Sequence, residues 1–371
     1  MILLVAAGAA AAAFAPAEPV EPDQFLRGRV VAVIGEREAQ GLGEEQFVQL
    51  VRVRLDRDGP LQEVPAEFAR MGSESSQQLT EGDRVVVAVS EEPDGTRYYV
   101  VDHLRLPALG AALAIFFALA ILFSRRKGVG SIIGLAITAV VLARFVVPAI
   151  VAGANPLIVS LVGALVIALT SIYLAHGLSL RTSIAVGSTI LTLVIAWALA
   201  ILFVSLARLS GMGSEESVYL QLAPIEQLNL RGLLLGGIIL GALGVLDDIT
   251  TGQAAAVDEL RRANPALSTR ELYRRGLSIG SEHITSLVNT LFLAYAGASL
   301  PLFILFTIYN EVPLWVTLNS EFVAEEVVRT LVGSVALILA VPITTFSAAL
   351  LLRGRGAGET VADASPSGHR D

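Results

Sequence analysis

PALGAALAIFFALAILFS, residues 107–124, contains no charged side chain, and Arg125, Arg126 and Lys127 follow it directly. As a helix rising ~1.5 Å per residue, this run approaches the ~30 Å hydrocarbon core of a bilayer. In water it would have no polar face to turn outward, so it decides for a membrane fold. Similar runs recur near 129–150, 156–176, 183–207, 231–249, 284–308 and 327–352, which predicts seven spans in a helical bundle over 107–352. The composition agrees, with 54% of the 371 residues apolar, 16% charged and a mean hydropathy of +0.68.

Loop charges orient the spans. Arg125, Arg126, Lys127, Arg181, Arg261, Arg262, Arg270, Arg274, Arg275, Arg353 and Arg355 fall on one side if the spans alternate. The opposite loops, 152–156, 209–230 and 310–326, hold no Lys or Arg but include Glu215, Glu216, Glu311, Glu321 and Glu325. Positive charge stays inside, so the basic loops and the C-terminal tail, 353–371, are expected in the cytoplasm of a bacterial plasma membrane. That tail is expected to be disordered.

Ahead of the spans, period-two alternation replaces long apolar runs. Val51, Val53 and Leu55 alternate with Arg52, Arg54 and Asp56, and Val85, Val87 and Val89 repeat the pattern. Strands are expected near 29–35, 46–56, 61–68, 82–90 and 97–105, separated by turn signals such as Asp58-Gly59-Pro60 and Pro93-Asp94-Gly95. Five strands suit a small extracytoplasmic all-β domain, 24–105, resembling an OB-fold barrel. The aromatic stripe of a nucleic-acid-binding barrel is absent. Residues 17–105 also carry 18 acids against 10 arginines, so nucleic acid is not expected as a partner. Residues 1–15 read either as a signal peptide, with Ala13-Phe14-Ala15 at a small-x-small site, or as a retained short anchor, because Pro16 follows and a basic leader is missing.

Between spans, Gln253–Ala263 favours helix, Asn264-Pro265 breaks it, and Ser268 with Glu271 forms a capping box that starts another. The arginines of this connection would sit near anionic headgroups.

The chemistry-bearing residues cluster around that connection. Asp247 and Asp248 close an otherwise apolar helix, where ionised carboxylates must meet water, a cation or a partner. They point ~100° apart, while Thr251 shares a face with either. Ser278, Glu282, Thr285 and Asn289 follow helical spacing at the start of the next span, with Ser286 beside them. Asp247, Asp248, Glu282 and His283 are therefore expected to gather near the cytoplasmic side as a cation- or proton-binding group, lined by Thr251, Gln253, Ser278, Thr285, Ser286 and Asn289. Oxygen donors of this kind would take a divalent cation before a soft metal; no cofactor is otherwise identified. The competing reading is that the acids mark a helix end and that Ser and Asn join helices by hydrogen bonds. Gly237, Gly241 and Gly244 are expected at a close helix contact, and Arg144, inside its span, is expected to meet an acid or a wet cavity.

GALGVLDDITTGQAAAVDEL, at 241–260, and GSEHITSLVNTLFLAYAGASLPL, at 280–302, resemble the YibE/F-like family of bacterial multi-pass membrane proteins. The order of an N-terminal apolar segment, a β-domain and a helical bundle is similar too. Asp247, Asp248, Gln253, Glu282, His283 and Asn289 match its motifs. The resemblance implies a permease-type protein without a set substrate.

The expected function is a transporter for an ion or small solute in the lipid bilayer. The alternative is a membrane sensor, assembly factor or scaffold whose β-domain binds a protein partner. No Cys is present, the histidines at 103, 176, 283 and 369 are scattered, and no phosphate loop, HExxH or nucleophile elbow occurs. An enzyme is the least supported class.

Overall fold

A computed structural model of the chain describes residues 24–40, 45–56, 62–71, 78–93, 95–222, 228–308 and 312–352. The segments 1–15 and 353–371 lie outside the described residues. Two compact units divide at Ala118 and Leu119.

In the first unit, alternation produces strands because every second side chain can enter one apolar interior. All five expected strands form, as β1 Gln24–Gln40, β2 Glu45–Leu55, β3 Glu63–Met71, β4 Arg84–Glu92 and β5 Gly95–His103. They close a barrel in the order β1-β2-β3-β5-β4, with β3 and β5 parallel and the other pairings antiparallel. Closure removes exposed sheet edges, and the five-stranded arrangement is the one expected of an OB-like barrel. Val30, Val51, Val53, Leu55, Val64, Phe68, Leu79, Val85, Val87 and Val100 fill the interior. Gly28 lets β1 approach β2, since a Cβ there would stand 2.5 Å from Val53 Cγ1. One polar side chain enters with them: buried Gln49 donates from Nε2 to the Leu79 carbonyl and accepts from the Leu79 N–H, both at 2.9 Å.

Among the described residues, six helices are long and apolar enough to cross a membrane. They are α1 Leu106–Arg125, α2 Lys127–Val151, α3 Pro156–His176, α4 Leu180–Leu206, α6 Leu230–Ala263 and α10 Glu321–Leu351. Shorter or more polar helices are α5 Glu215–Leu222, α7 Thr269–Ala298, α8 Leu300–Ile308 and α9 Leu314–Leu318. The expected span at 284–308 is split between the apolar half of α7 and α8, with a break at Ser299.

Local chemistry explains the breaks and starts. Arg125 takes φ 50° and ψ −122°, which ends α1, and the missing Cβ of Gly128 lets α2 begin against the Ala120 carbonyl. Leu142–Val146 is a π-turn; Pro148, just after it, has no N–H to return to the Arg144 carbonyl. Asn155, Ser179 and Asn229 cap α3, α4 and α6, and the Ser268–Glu271 capping box opens α7 as expected.

The 34-residue α6 is the axis of the bundle, packed on α3, α4, α7 and α10 through Leu234, Leu235, Ile238, Ile239, Leu243 and Leu246. Its close glycine contact is not the expected one. Gly237 and Gly244 have open space where a Cβ would be, and Gly241 meets only the Tyr295 hydroxyl, at 3.8 Å. Gly232 and Gly236, one turn earlier and on another face, take α3 instead, against Pro156 and Ser160.

The ends of the helices are matched by hydrogen bonds. Glu321, opening α10, holds Ser210, just past α4, and Arg231, opening α6, donates to Ser205 at 2.7 Å. At the other end, Arg181 of α4 faces Asp258 of α6. Arg208 and Arg231 thus flank the 209–230 loop, a basic contribution at the end expected to be free of it.

Candidate functional site

Asp247 sits where α6 passes α3. Half-buried, it accepts a hydrogen bond from Ser171 Oγ at 3.3 Å, and His176 at the end of α3 lies within electrostatic reach. Gly134 of α2 brings backbone against the same serine, at 3.3 Å from its Oγ to the Cβ position. Held by one neutral hydroxyl where α6 passes α3, this carboxylate has no guanidinium or ammonium against it among the described residues. Gaining and losing a proton is the chemistry such a group does most readily.

The remaining candidates do not converge on it. Asp248, Glu282 and His283 are exposed, and among the described residues no three His, Asp or Glu side chains gather as a metal ion requires. The divalent-cation cage is therefore not formed. The reason lies in α7: it meets α6 and α10 through Gly276 and Gly280, and at ~100° per residue Glu282 is ~200° round the helix from Gly280. Thr251 Oγ1 donates to the backbone carbonyls of Asp247 and Asp248, at 2.9 and 3.1 Å, and not to their carboxylates. On α7, Thr285 donates to the carbonyl of Ser281 within the same helix, and the side chain of Ser286 is exposed, with no hydrogen bond to another helix among the described residues. Ser278 and Asn289 are exposed on the same helix. Arg144 is exposed and meets no acid among the described residues, because the π-turn carries it off the α3 contact made by Val146.

Gln253 has a role that the sequence did not separate from the rest. Fully buried, its Nε2 donates to the Gly276 carbonyl at 2.8 Å and to Thr345 Oγ1 at 2.7 Å, tying α6 to α7 and α10. Gly280 leaves the room, since a Cβ there would stand 2.9 Å from Gln253 Oε1. Beside it, Thr189 of α4 and Thr250 of α6 share a hydrogen bond of 2.7 Å. This buried polar layer locks helices; it is not a lining.

Two acidic features escaped the sequence reading. Asp258, almost fully buried, is bracketed by Arg262 at 3.2 Å and Arg181 at 3.9 Å, while Arg261 ties down the following turn through the carbonyls of Pro265 and Leu267. Glu321 and Glu325, expected in a loop, instead open α10 and grip the chain after α4. Glu321 Oε1 accepts from Ser210 N, Ser210 Oγ and Gly211 N, and buried Glu325 accepts from Gly213 N at 2.9 Å. Their place in the first turns of α10 suits carboxylates.

At the same end as that grip, Asn155, Pro156, Leu228 and Asn229 line a cavity of about 210 Å³, well away from Asp247 along α3 and α6.

A family model described as YibE/F-like protein matches residues 112–354. No curated protein and no solved structure matches the chain.

Proposed function

For a chain that belongs to the YibE/F-like protein family over its helical bundle, we propose the work of a permease that moves an ion or small solute across the bilayer, with Asp247 as the group that takes up and releases a proton. The observation that carries this reading is the Asp247 carboxylate itself, half-buried between α6 and α3 with Ser171 as its hydrogen-bond donor. α6 runs on to Ala263, so Asp247 does not mark a helix end, and unlike its exposed neighbour Asp248 it is turned against α3. Binding of a resident divalent ion is not part of the proposal, since the donors for it do not assemble among the described residues.

Seven crossings are proposed, on grounds of parity. α6 ends beside the start of α4, where Asp258 meets Arg181, whereas α10 starts beside the end of α4, where Glu321 meets Ser210. Residues 264–320 must then travel from one end of the bundle to the other, and α7 supports that course by lying along α10 from Gly280, against Val341, to Tyr295, within electrostatic reach of Arg329. With seven crossings, Arg125, Lys127, Arg181, Arg261, Arg262, Arg270, Arg274 and Arg275 share one side, against Arg105, Arg208, Arg231 and Arg329 on the other. The excess favours a cytoplasmic face for the first group, an extracytoplasmic barrel and residence in a bacterial plasma membrane.

Proteoliposomes carrying a trapped pH-sensitive dye test the proposal. After an imposed pH jump, vesicles with the intact chain should equilibrate faster than empty ones, and Asp247→Asn should slow them about tenfold, the effect of ~1.4 kcal/mol on a barrier. Equal rates for the variant and the intact chain, or for the intact chain and empty vesicles, would overturn the assignment.

A further inference from the structure

On the outside of the barrel, Arg84 of β4, Arg29 of β1 and Arg54 of β2 stand directly opposite one another in register. Exposure alternates along these strands, so Arg27 and Arg52 share the outward face while Gly28, Val30, Val53 and Val85 turn inward. Like charges placed directly opposite weaken a sheet, so barrel stability does not account for the row. Arg54 is held by Glu63 at 2.8 Å, but Arg27, Arg29, Arg52 and Arg84 have no ion-pair partner among the described residues. Nearby acids are largely engaged: Glu63 with Arg54, Asp102 with Arg105, and Asp83 with the N–H and hydroxyl of Thr80. Asp56, whose N–H donates to the Arg27 carbonyl, stands at the edge. In the same outward row as Arg27 and Arg29, Phe25 is 59% exposed.

The surroundings select the partner. Residues 17–105 carry 18 acids against 10 arginines, so a polyanion reaching round the barrel is repelled, whereas a flat anionic surface meets the arginine face alone. A bilayer does not have to arrive: β5 ends at His103 and the apolar α1 begins at Leu106, so Leu104 and Arg105 alone separate the barrel from its membrane helix. Guanidinium groups pair with phosphate through two parallel N–H donors, and an exposed aromatic ring beside them favours the headgroup region. We propose that the β4–β1–β2 face, through Arg27, Arg29, Arg52 and Arg84 with Phe25 beside them, docks on the phosphates of an anionic phospholipid surface.

The full chain in phosphatidylcholine nanodiscs, mixed with vesicles and separated by flotation, tests this. Vesicles rich in phosphatidylglycerol should carry the discs upward at low salt and release them at high salt, while phosphatidylcholine vesicles should leave them behind. Arg29→Gln combined with Arg84→Gln should weaken binding about 30-fold, from ~1 kcal/mol for each arginine near the surface. That pair relieves a like-charge contact, so the barrel should stay folded, which heat-unfolding measurements would check. Arg37→Gln, at a residue already paired with Glu67, should leave binding unchanged. Equal binding to both kinds of vesicle, no binding to either, binding that ignores salt, or a loss as large in Arg37→Gln as in the double variant would overturn the proposal.

Discussion

Replacing Gly280 by Ala pits two effects of known size against each other. In a helix interior alanine is favoured over glycine by ~1 kcal/mol. At this position the added Cβ would lie 2.9 Å from Gln253 Oε1 and 3.0 Å from its Nε2, and would also strike Val341 Cγ1. Overpacking of this kind costs ~1–3 kcal/mol. Displacing Gln253 would further break its bonds to Gly276 and Thr345, at 2.8 and 2.7 Å, each contributing about 1 kcal/mol. Packing and hydrogen bonds win, so Gly280→Ala should destabilise by about 2–4 kcal/mol net. Gly252, on the same α6 as Gln253 but with open space at its Cβ position, gives the opposite sign: Gly252→Ala should stabilise by ~1 kcal/mol. Reversible unfolding in mixed micelles, followed by circular dichroism, would measure both. Adding Gln253→Ala to Gly280→Ala should cost at least 1 kcal/mol less than the sum of the two single changes, because the residues share the contact. Equal stabilities for the two alanine variants, or additive losses in the double variant, would refute the lock between α6, α7 and α10.

Gln49→Leu should destabilise the barrel by about 2–4 kcal/mol, because the Leu79 N–H and carbonyl both lose their buried partner; a change below 1 kcal/mol in the barrel's denaturation would contradict this. Asp258→Asn should lower the midpoint of bundle unfolding by leaving Arg181 and Arg262 without their shared carboxylate, and Arg262→Gln should lower it less, since that side chain is largely exposed. Hydrogen bonds from the Ser268 hydroxyl, followed by its backbone N–H, hold the Glu271 carboxyl below its ordinary range. A depressed pKa stabilises the folded state above the unfolded value and is lost as pH falls through the folded one, so amide protection factors at the start of α7, taken against the intrinsic exchange rate at each pH, should fall in acid. In Ser268→Ala that acid dependence should shrink, and an unchanged pH profile would count against the capping box. Gly213→Ala should loosen the grip on α10, because its Cβ would sit 2.7 Å from Glu325 Cδ, and the readout is faster proteolysis of the 209–214 segment.

The linear order of residues was enough for whatever depends on neighbours along the chain. Period-two alternation at Val51–Leu55 and Val85–Val89 can bury one face only as a strand, and the uncharged run at 107–124 can shed water only in a membrane. Ser268 and Glu271 cap a helix through groups three residues apart, so the start of α7 was legible too. Facing between helices was not. Spacing placed Asp247, Asp248, Glu282 and His283 at a common depth, but which side of α6 each meets depends on where the other helices lie. Gly276 and Gly280 turn Glu282 away from the contact, Ser171 captures Asp247, and Gly236, not Gly241, admits the close helix. Periodicity fixes which residues share a face of one helix, whereas the partner of that face is set by steric fit among several helices at once, a quantity with no counterpart in local sequence.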